Sequence, residues 1–342
     1  MESDDERRDT LPRRKDTDYL AVSTRVHAME NRLLTRERME RMIDAKEDSD
    51  ALKILEECGY PEASQIGLRG LEGMLAAQRG EVFQDIRDSV PEGSLVEVFQ
   101  LKYDYHNAKV LVKASAVGAE PERLLLSGGR YKSQELLEQW RADELSACTQ
   151  TYCDAVHQAK AVLEETGDPQ QADMVLDQAQ YQEMEQLARE SGSEFLKEYV
   201  RLSVDTANLR TAVRCARMEK GGEFLLQVLL PGGNIPEQTI AAVRGESLKE
   251  LFQYGPLAEA AALGAELARS GGGALTEFEK LCDDALTEYI SQAKNIPFGE
   301  QTVLGYLYAK EAELTAIRTI LTGRMAGLDG DVIRSRLRMA YA

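Results

Sequence analysis

Tyr308 to Arg324 reads YAKEAELTAIRTILTGR, and its core, Glu313 to Leu321, returns twice upstream as DTANLRTAV (Asp205 to Val213) and DYHNAKVLV (Asp104 to Val112). Each copy opens on an acid. Three residues on comes Asn107, Asn208 or Ala316, followed by an apolar residue (Ala108, Leu209, Ile317) and a cation (Lys109, Arg210, Arg318). Two further apolar positions close each copy. The acids lie 101 and then 108 residues apart, a period that predicts a repeated domain rather than a solenoid unit. Stepped at helical geometry, Ala108, Leu111 and Val112 share one face, extended by Ser115; Leu209, Ala212, Val213 and Ala216 repeat it. Lys109, Lys113, Arg210 and Arg214 fall opposite. Asp104, Asp205 and Glu313 project from near the middle of the apolar face, where a carboxylate is costly unless paired or capping. Two structural roles are open to them: an N-cap on a first turn, or a bridge to a neighbouring helix.

Composition points the same way. Of 342 residues, 43% are hydrophobic, 29% charged and only 6% aromatic, with 9 prolines; this is the profile of a soluble helical protein. A net charge of −18 argues against nucleic-acid binding, which needs a basic patch to displace counterions. It argues equally against adhesion to an anionic lipid surface. Five scattered cysteines suggest reduced thiols in a cytosolic protein. Cys148 and Cys153 are five apart but lack a second ligand pair for a metal. The three histidines stand alone, and no HExxH or Ser-His-Asp order appears. No apolar run approaches the roughly 20 residues that span a bilayer, and the N-terminus has no apolar core behind its charges, so a secretory signal is not expected. Neither a cofactor nor a metal is called for.

Along the chain, residues 1–17 read as a charged, disordered tail whose Arg7, Arg8, Arg13, Arg14 and Lys15 offer at most a small basic contact. An amphipathic segment runs from Tyr19 to Ile43, with Thr35 starting a second helix; a third spans Ser49 to Glu57 and stops at Gly59 and Pro61. Gly70 to Gln84 is helical, and another helix from Asp88 to Leu101, entered through Pro91, leads into the first repeat. After the first two repeats come matching corners, Leu124-Leu125-Leu126-Ser127-Gly128-Gly129 and Leu229-Leu230-Pro231-Gly232-Gly233-Asn234. Each precedes a helix, at Ser133 to Trp140 and Pro236 to Val243. A Gly-Gly loop before a helix can hold phosphate. Neither loop carries the Gly-Lys-Ser/Thr of a P-loop, so a sharp helix–helix corner is the better reading. Phe99, Tyr199 and Tyr308 lead into the three repeats as core anchors. The expected fold class is all-α.

The stretch Pro297-Phe298-Gly299, then Val303-Leu304-Gly305-Tyr306-Leu307-Tyr308-Ala309-Lys310-Glu311, then Ile317-Arg318-Thr319-Ile320-Leu321, resembles the C-terminal signature of the C subunits of V-type ATP synthases, bacterial and archaeal relatives of the d subunit of V-ATPases. Tyr103-Asp104-Tyr105-His106-Asn107, Asn208-Leu209-Arg210 and RVHAMENRLL (Arg25 to Leu34) resemble the family's other motifs. The likeness covers roughly residues 18 to 342. It implies an all-α fold of three similar helical domains arranged as a funnel about a pseudo-threefold axis. It also implies a non-catalytic rotor coupling, which links the central shaft subunits to the membrane rotor ring and passes torque for ATP-coupled proton or sodium transport. The place implied is the cytoplasmic face of the cell membrane, as a peripheral part of a membrane complex, with no direct bilayer insertion.

On this reading the domains run 18–135, 136–243 and 244–342, with the N-terminal helices packing against the third. Asp104, Asn107, Asp205, Asn208 and Glu313 are structural repeat positions. Lys109, Lys113, Arg210, Arg214 and Arg318 either line a shaft interface or serve as solvated faces and intramolecular partners of the many acids. Two other classes are carried alongside. One is a free-standing helical adaptor. The other is an enzyme holding a metal on Glu279, Asp283 and Asp284, a carboxylate set suited to Mg²⁺ or Ca²⁺.

Overall fold

The computed structural model describes residues 14–60, 63–66, 68–243 and 245–342, and the described residues form helices and turns with no strand. Three long helices dominate: Ser94–Val117, Glu194–Arg217 and Glu300–Met325. Each carries one copy of the repeat, and the apolar face read from the sequence is the buried one. Ala108, Leu111 and Val112, then Leu209, Ala212 and Val213, then Ile317, Ile320 and Leu321 are all within 2% of full burial. The last position of the face is the exception in both upstream copies: Ser115 is exposed and Ala216 only half-buried, and Ala114 and Cys215 are buried in their stead.

The three helices also end in register. The residues that leave the helix in the left-handed region are Gly118, Glu219 and Gly327, each 14 positions after its repeat acid. Such a C′ residue turns the chain sharply away from the axis. Other helices pack behind each repeat helix. Pro169–Ser191 packs on the first and Leu71–Arg87 on the third, while the second packs chiefly on Ala258–Ser270 and also on Pro169–Ser191 and Thr276–Ser291. The partner of the third comes from near the start of the chain.

The hydrophobic side chains gather in three clusters. One joins the first repeat helix to Gln150–Thr166 and Pro169–Ser191, and takes in Tyr19, Val22, Val26 and residues 290–309. A second is built on Leu209, Ala212, Val213, Ala261, Phe278 and Cys282. The third joins Leu314, Ile317, Ile320 and Leu321 to Met42, Leu52, Leu55 and Tyr60. Burying one such side chain contributes roughly 1.5–3 kcal/mol, so this last cluster firmly binds the two ends of the sequence.

Several sequence expectations shift. The helix expected from Asp88 begins at Ser94 and continues without a break to Val117; Pro91, whose ring fixes φ and lacks an N–H, falls in the turn before it. Thr35 does cap the helix Arg36–Asp44, accepting from the Arg38 N–H. The fourth helix is longer than read, Leu71–Arg87. Leu95 to Phe99 and Phe224 to Leu230, which carry a trace of alternating pattern, are helical within Ser94–Val117 and, up to Val228, within Gly222–Val228. Of the charged tail, residues 1–13, with Arg7, Arg8 and Arg13, lie outside the described residues, as does Pro61; Asp16–Tyr19 form one 3-10 turn.

Candidate functional site

The repeat acids sit in mid-helix, so the N-cap reading is corrected: no free first-turn N–H groups are within their reach. Each instead holds the corner that follows. Asp104, fully buried, accepts from Arg130 Nε at 2.7 Å and from the Tyr131 N–H at 3.4 Å. Asp205 accepts from the Asn234 and Ile235 N–H groups at 3.1 and 3.3 Å. Glu313 accepts from the Leu34 N–H at 2.6 Å, from the Tyr60 hydroxyl and from Lys310 Nζ at 2.6 Å. Tyr131, Ile235 and Leu34 each stand two residues ahead of the next helix, at Ser133, Glu237 and Arg36. One geometry is therefore used three times, and the third copy finds its corner at the N-terminal end of the chain.

The glycine pairs are explained by the same contact. A Cβ on Gly129 would overlap Asp104 Oδ1, and one on Gly233 would overlap Asp205 Oδ1. Only glycine lets the backbone come that close. Beside each acid, the asparagine pins the corner with its amide. Asn107 bonds both the N–H and C=O of Leu126, at 2.8 and 2.9 Å. Asn208 does the same to Leu230, both at 2.8 Å. The loops are thus structural corners filled by carboxylates, which leaves no room there for a phosphate.

Burial pushes the Asp104 carboxyl up to about 6. The Arg130 guanidinium opposes this, but it also serves Glu183 at 2.7 Å, and two carboxylates sharing one cation in a dry site cannot both be fully stabilised. Burial likewise raises Asp205, which has backbone donors and no cation. A second buried cluster was not read from the sequence. Glu311 meets Arg79 Nε at 3.2 Å, Lys102 Nζ at 2.5 Å and the Tyr103 hydroxyl at 2.5 Å. Burial pushes its carboxyl up, but Lys102 and Arg79 more than reverse that and hold it below the usual range. The available signal was a second acid two residues before Glu313, on a helix that is apolar around it.

Phe99, Tyr199 and Tyr308 meet. The rings of Phe99 and Tyr199 are 5.8 Å apart, and those of Tyr199 and Tyr308 are 6.0 Å apart. The three repeat helices thus converge at one aromatic junction. A cleft of about 340 Å³ opens beside it, lined by these rings, Lys102, Glu311 and the last residues of the chain. Each of the five repeat cations ends on a carboxylate of this chain. Lys109 pairs with Asp177 at 2.6 Å, Lys113 with Asp173 at 3.0 Å, and Arg318 with Glu72 at 2.7 Å. Arg210 pairs with Glu279 and Asp283 at 2.6 and 2.5 Å, and Arg214 with Glu279 at 2.6 Å. All the acceptors lie on a helix packed behind the repeat.

That pairing also occupies the acidic cluster weighed as a metal site. Glu279 and Asp283 are taken by arginines, and Asp284 accepts from Lys280 Nζ and the Met339 N–H at 2.7 and 2.6 Å. Among the described residues, no three His, Cys, Asp or Glu side chains are grouped to hold a metal ion. Cys148 and Cys153 are free thiols. Burial pushes Cys148 up to about 12, which leaves it a poor nucleophile and a poor ligand. No helix among the described residues is long and apolar enough to cross a membrane.

Comparison with known proteins fits a helical body without a reaction centre. The family described as ATP synthase (C/AC39) subunit matches residues 22–336. The C subunit of the V-type sodium ATPase of Enterococcus hirae is 24% identical over 95% of this chain and 99% of its own length. The C subunit of the A-type ATP synthase of Halorubrum lacusprofundi is 28% identical over 75% of this chain and 77% of its own. The C subunit of the V-type ATP synthase of Thermus thermophilus is 25% identical over 90% and 94%. With the match running through all three repeat helices and the N-terminal corner at Leu34, the chain belongs to the ATP synthase (C/AC39) subunit family, the non-catalytic C subunits of V- and A-type ATP synthases.

Proposed function

We propose that this chain is the coupling of a rotary ATP synthase or ATPase: it seats the end of the central shaft, rests on the membrane rotor ring, and passes torque between them. The observation that carries the reading is the convergence of three like helices on the Phe99–Tyr199–Tyr308 junction, with an open cleft beside it. Three repeats about a common junction support a funnel of three helical domains on a pseudo-threefold axis, over 18–135, 136–243 and 244–342, with the N-terminal helices joined to the third. A torque coupling must be stiff. Corners locked by buried carboxylates and paired asparagines supply that, because a buried polar network has one satisfied arrangement and costly alternatives. The place proposed is the cytoplasmic face of the membrane, on the machinery rather than in the bilayer.

Of the five repeat cations, Arg214 and Arg318 line open surface next to the cleft and are proposed as shaft contacts. Lys109, Lys113 and Arg210 would act through the rigidity of the packing they hold. The test is a pull-down with the shaft subunits of the same cell, followed by light scattering on the eluate. A stoichiometric complex is expected. A lone monomer beside folded partners would overturn the reading and favour a free-standing adaptor. Reversing Arg210 and Arg318 to Glu, with the fold checked by melting because both are internally paired, is expected to weaken the complex.

A further inference from the structure

The three copies of the repeat differ in what lies over the C-terminal end of the repeat helix. Twenty positions after its acid, each copy carries a branched aliphatic residue: Leu124, Leu225 and Ile333. Leu225 and Ile333 are 7% and 2% exposed, whereas Leu124 is 60% exposed. The two buried residues ride on short helices, Gly222–Val228 and Gly330–Arg336, which pack on the second and third repeat helices. In the first copy the matching stretch is a single 3-10 turn, Glu122–Leu124. The reason is length. Leu126, pinned by Asn107, comes eight residues after Gly118, whereas Leu230, pinned by Asn208, comes eleven after Glu219. Three residues are nearly one helical turn, so the first corner is too short to lay a helix across its repeat helix.

The missing helix leaves an apolar groove of about 1020 Å³, walled by Val112, Ala116, Val117, Trp140, Leu163 and Pro169. The matching place in the second copy, beside Leu225, keeps about 280 Å³. Leu124 borders the open groove without filling it. The stretch that carries it is tied down: His106 Nε2 bonds the Leu124 carbonyl at 3.1 Å, and Arg141 binds Glu120 at 3.0 Å and also Glu122. Corner length and these ties keep the chain from closing the groove itself. An uncovered apolar groove rimmed by polar groups marks a contact for another molecule. Val117 follows Phe99 by 18 residues, roughly 27 Å along the helix at about 1.5 Å per residue, so the groove is well away from the aromatic junction and its cleft.

We infer that this groove docks a short amphipathic helix of a second protein, with a branched aliphatic side chain set where Leu225 and Ile333 sit in the other two copies. The chain itself displays the chemistry of the occupant. At two of three equivalent places the surface takes a leucine or an isoleucine from a seven-residue helix. The floor positions that receive it are alike and small: Ala114, Cys215 and Gly323, each ten positions after its acid. A Cβ on Gly323 would overlap Ile333, while Cys215 and Leu225 border one pocket, as Ala114 and Leu124 do. The first copy keeps the floor and lacks the cover. Lys160 and Glu164 at the mouth carry opposite charges, so apolar fit along one helix face, rather than charge, selects the partner.

Trp140 is the one tryptophan of the sequence, so its emission reports occupation of the groove directly. The probe is a peptide of the sequence Leu328–Leu337 with Ser335→Lys, joined by a lactam to Asp331. Both positions are exposed in the folded chain, and the bridge removes the cost of helix nucleation. Titrated into the full chain, the peptide is expected to shift Trp140 emission to the blue, saturably. The same peptide with Ile333→Asp is expected to give no shift. Ala116→Phe in the full chain, at an exposed position on the groove wall, is expected to weaken binding roughly tenfold with an unchanged melting curve. No shift with the parent peptide, an equal shift with Ile333→Asp, or an affinity unchanged in Ala116→Phe would overturn the inference. A shift with laurate and none with the peptide would overturn it as well, and would assign the groove to an acyl chain.

Discussion

At the residue scale, the carboxylates placed in mid-face are the least expected feature and the most informative. A lone acid on an apolar helix face costs several kcal/mol unless its oxygens are satisfied. Asp104 is satisfied by one guanidinium nitrogen and one backbone N–H, and shares that guanidinium with Glu183. Because burial raises its folded pKa to about 6 from an ordinary 3.8, the native state binds a proton more tightly than the unfolded chain does. The stability this contributes is fully present below about pH 4 and is lost as pH rises through about 6. The melting temperature of the wild type relative to Asp104→Asn should therefore fall between pH 4 and pH 7. A difference that stays flat across that window would refute the assignment.

At the scale of elements, each repeat unit is a long helix with a corner pinned to its flank. Asn208 satisfies both backbone groups of Leu230, taking the place that a neighbouring strand would fill. Asn208→Ala removes two bonds and leaves a buried N–H and C=O without partners, a cost of about 2–6 kcal/mol at about 1–3 kcal/mol for each stranded group. Amide exchange at Leu230 is the direct readout: strong protection in the wild type and loss of it in the variant. Asn107→Ala should act likewise at Leu126. The third copy shows that the asparagine is replaceable where the corner is held otherwise, since Ala316 stands in its place and Glu313 bonds the Leu34 N–H and the Tyr60 hydroxyl.

At the scale of the whole molecule, the third repeat helix is completed by residues from the opposite end of the sequence. Leu34, Met42, Leu55 and Tyr60 share a core with Leu314, Ile317, Ile320 and Leu321. Arg324 adds bonds to the carbonyls of Met42, Ile43 and Ala45 at 3.2, 2.9 and 2.8 Å. A double-mutant cycle on Tyr60→Phe and Glu313→Gln should give an interaction energy of about 0.5–3 kcal/mol, the range for residues in one hydrogen-bond network. Additivity within about 0.5 kcal/mol would mean that the two ends pack side by side without this bond joining them.

The sequence by itself determined the helical class, the three copies and their buried faces, because helical periodicity is local and three occurrences of one pattern are hard to mistake. It also carried the corners, since Gly128-Gly129 and Gly232-Gly233 each precede a helix, and it marked Phe99, Tyr199 and Tyr308 as anchors. Only the tertiary structure decided what the acids do. Whether Asp104 caps a first turn or grips a corner depends on where the helix begins, and that boundary moved from the expected place to Ser94. The Glu311 cluster and the partners of the repeat cations lay beyond the reach of spacing. Each joins side chains from separate helices, and the distance between them is set by packing.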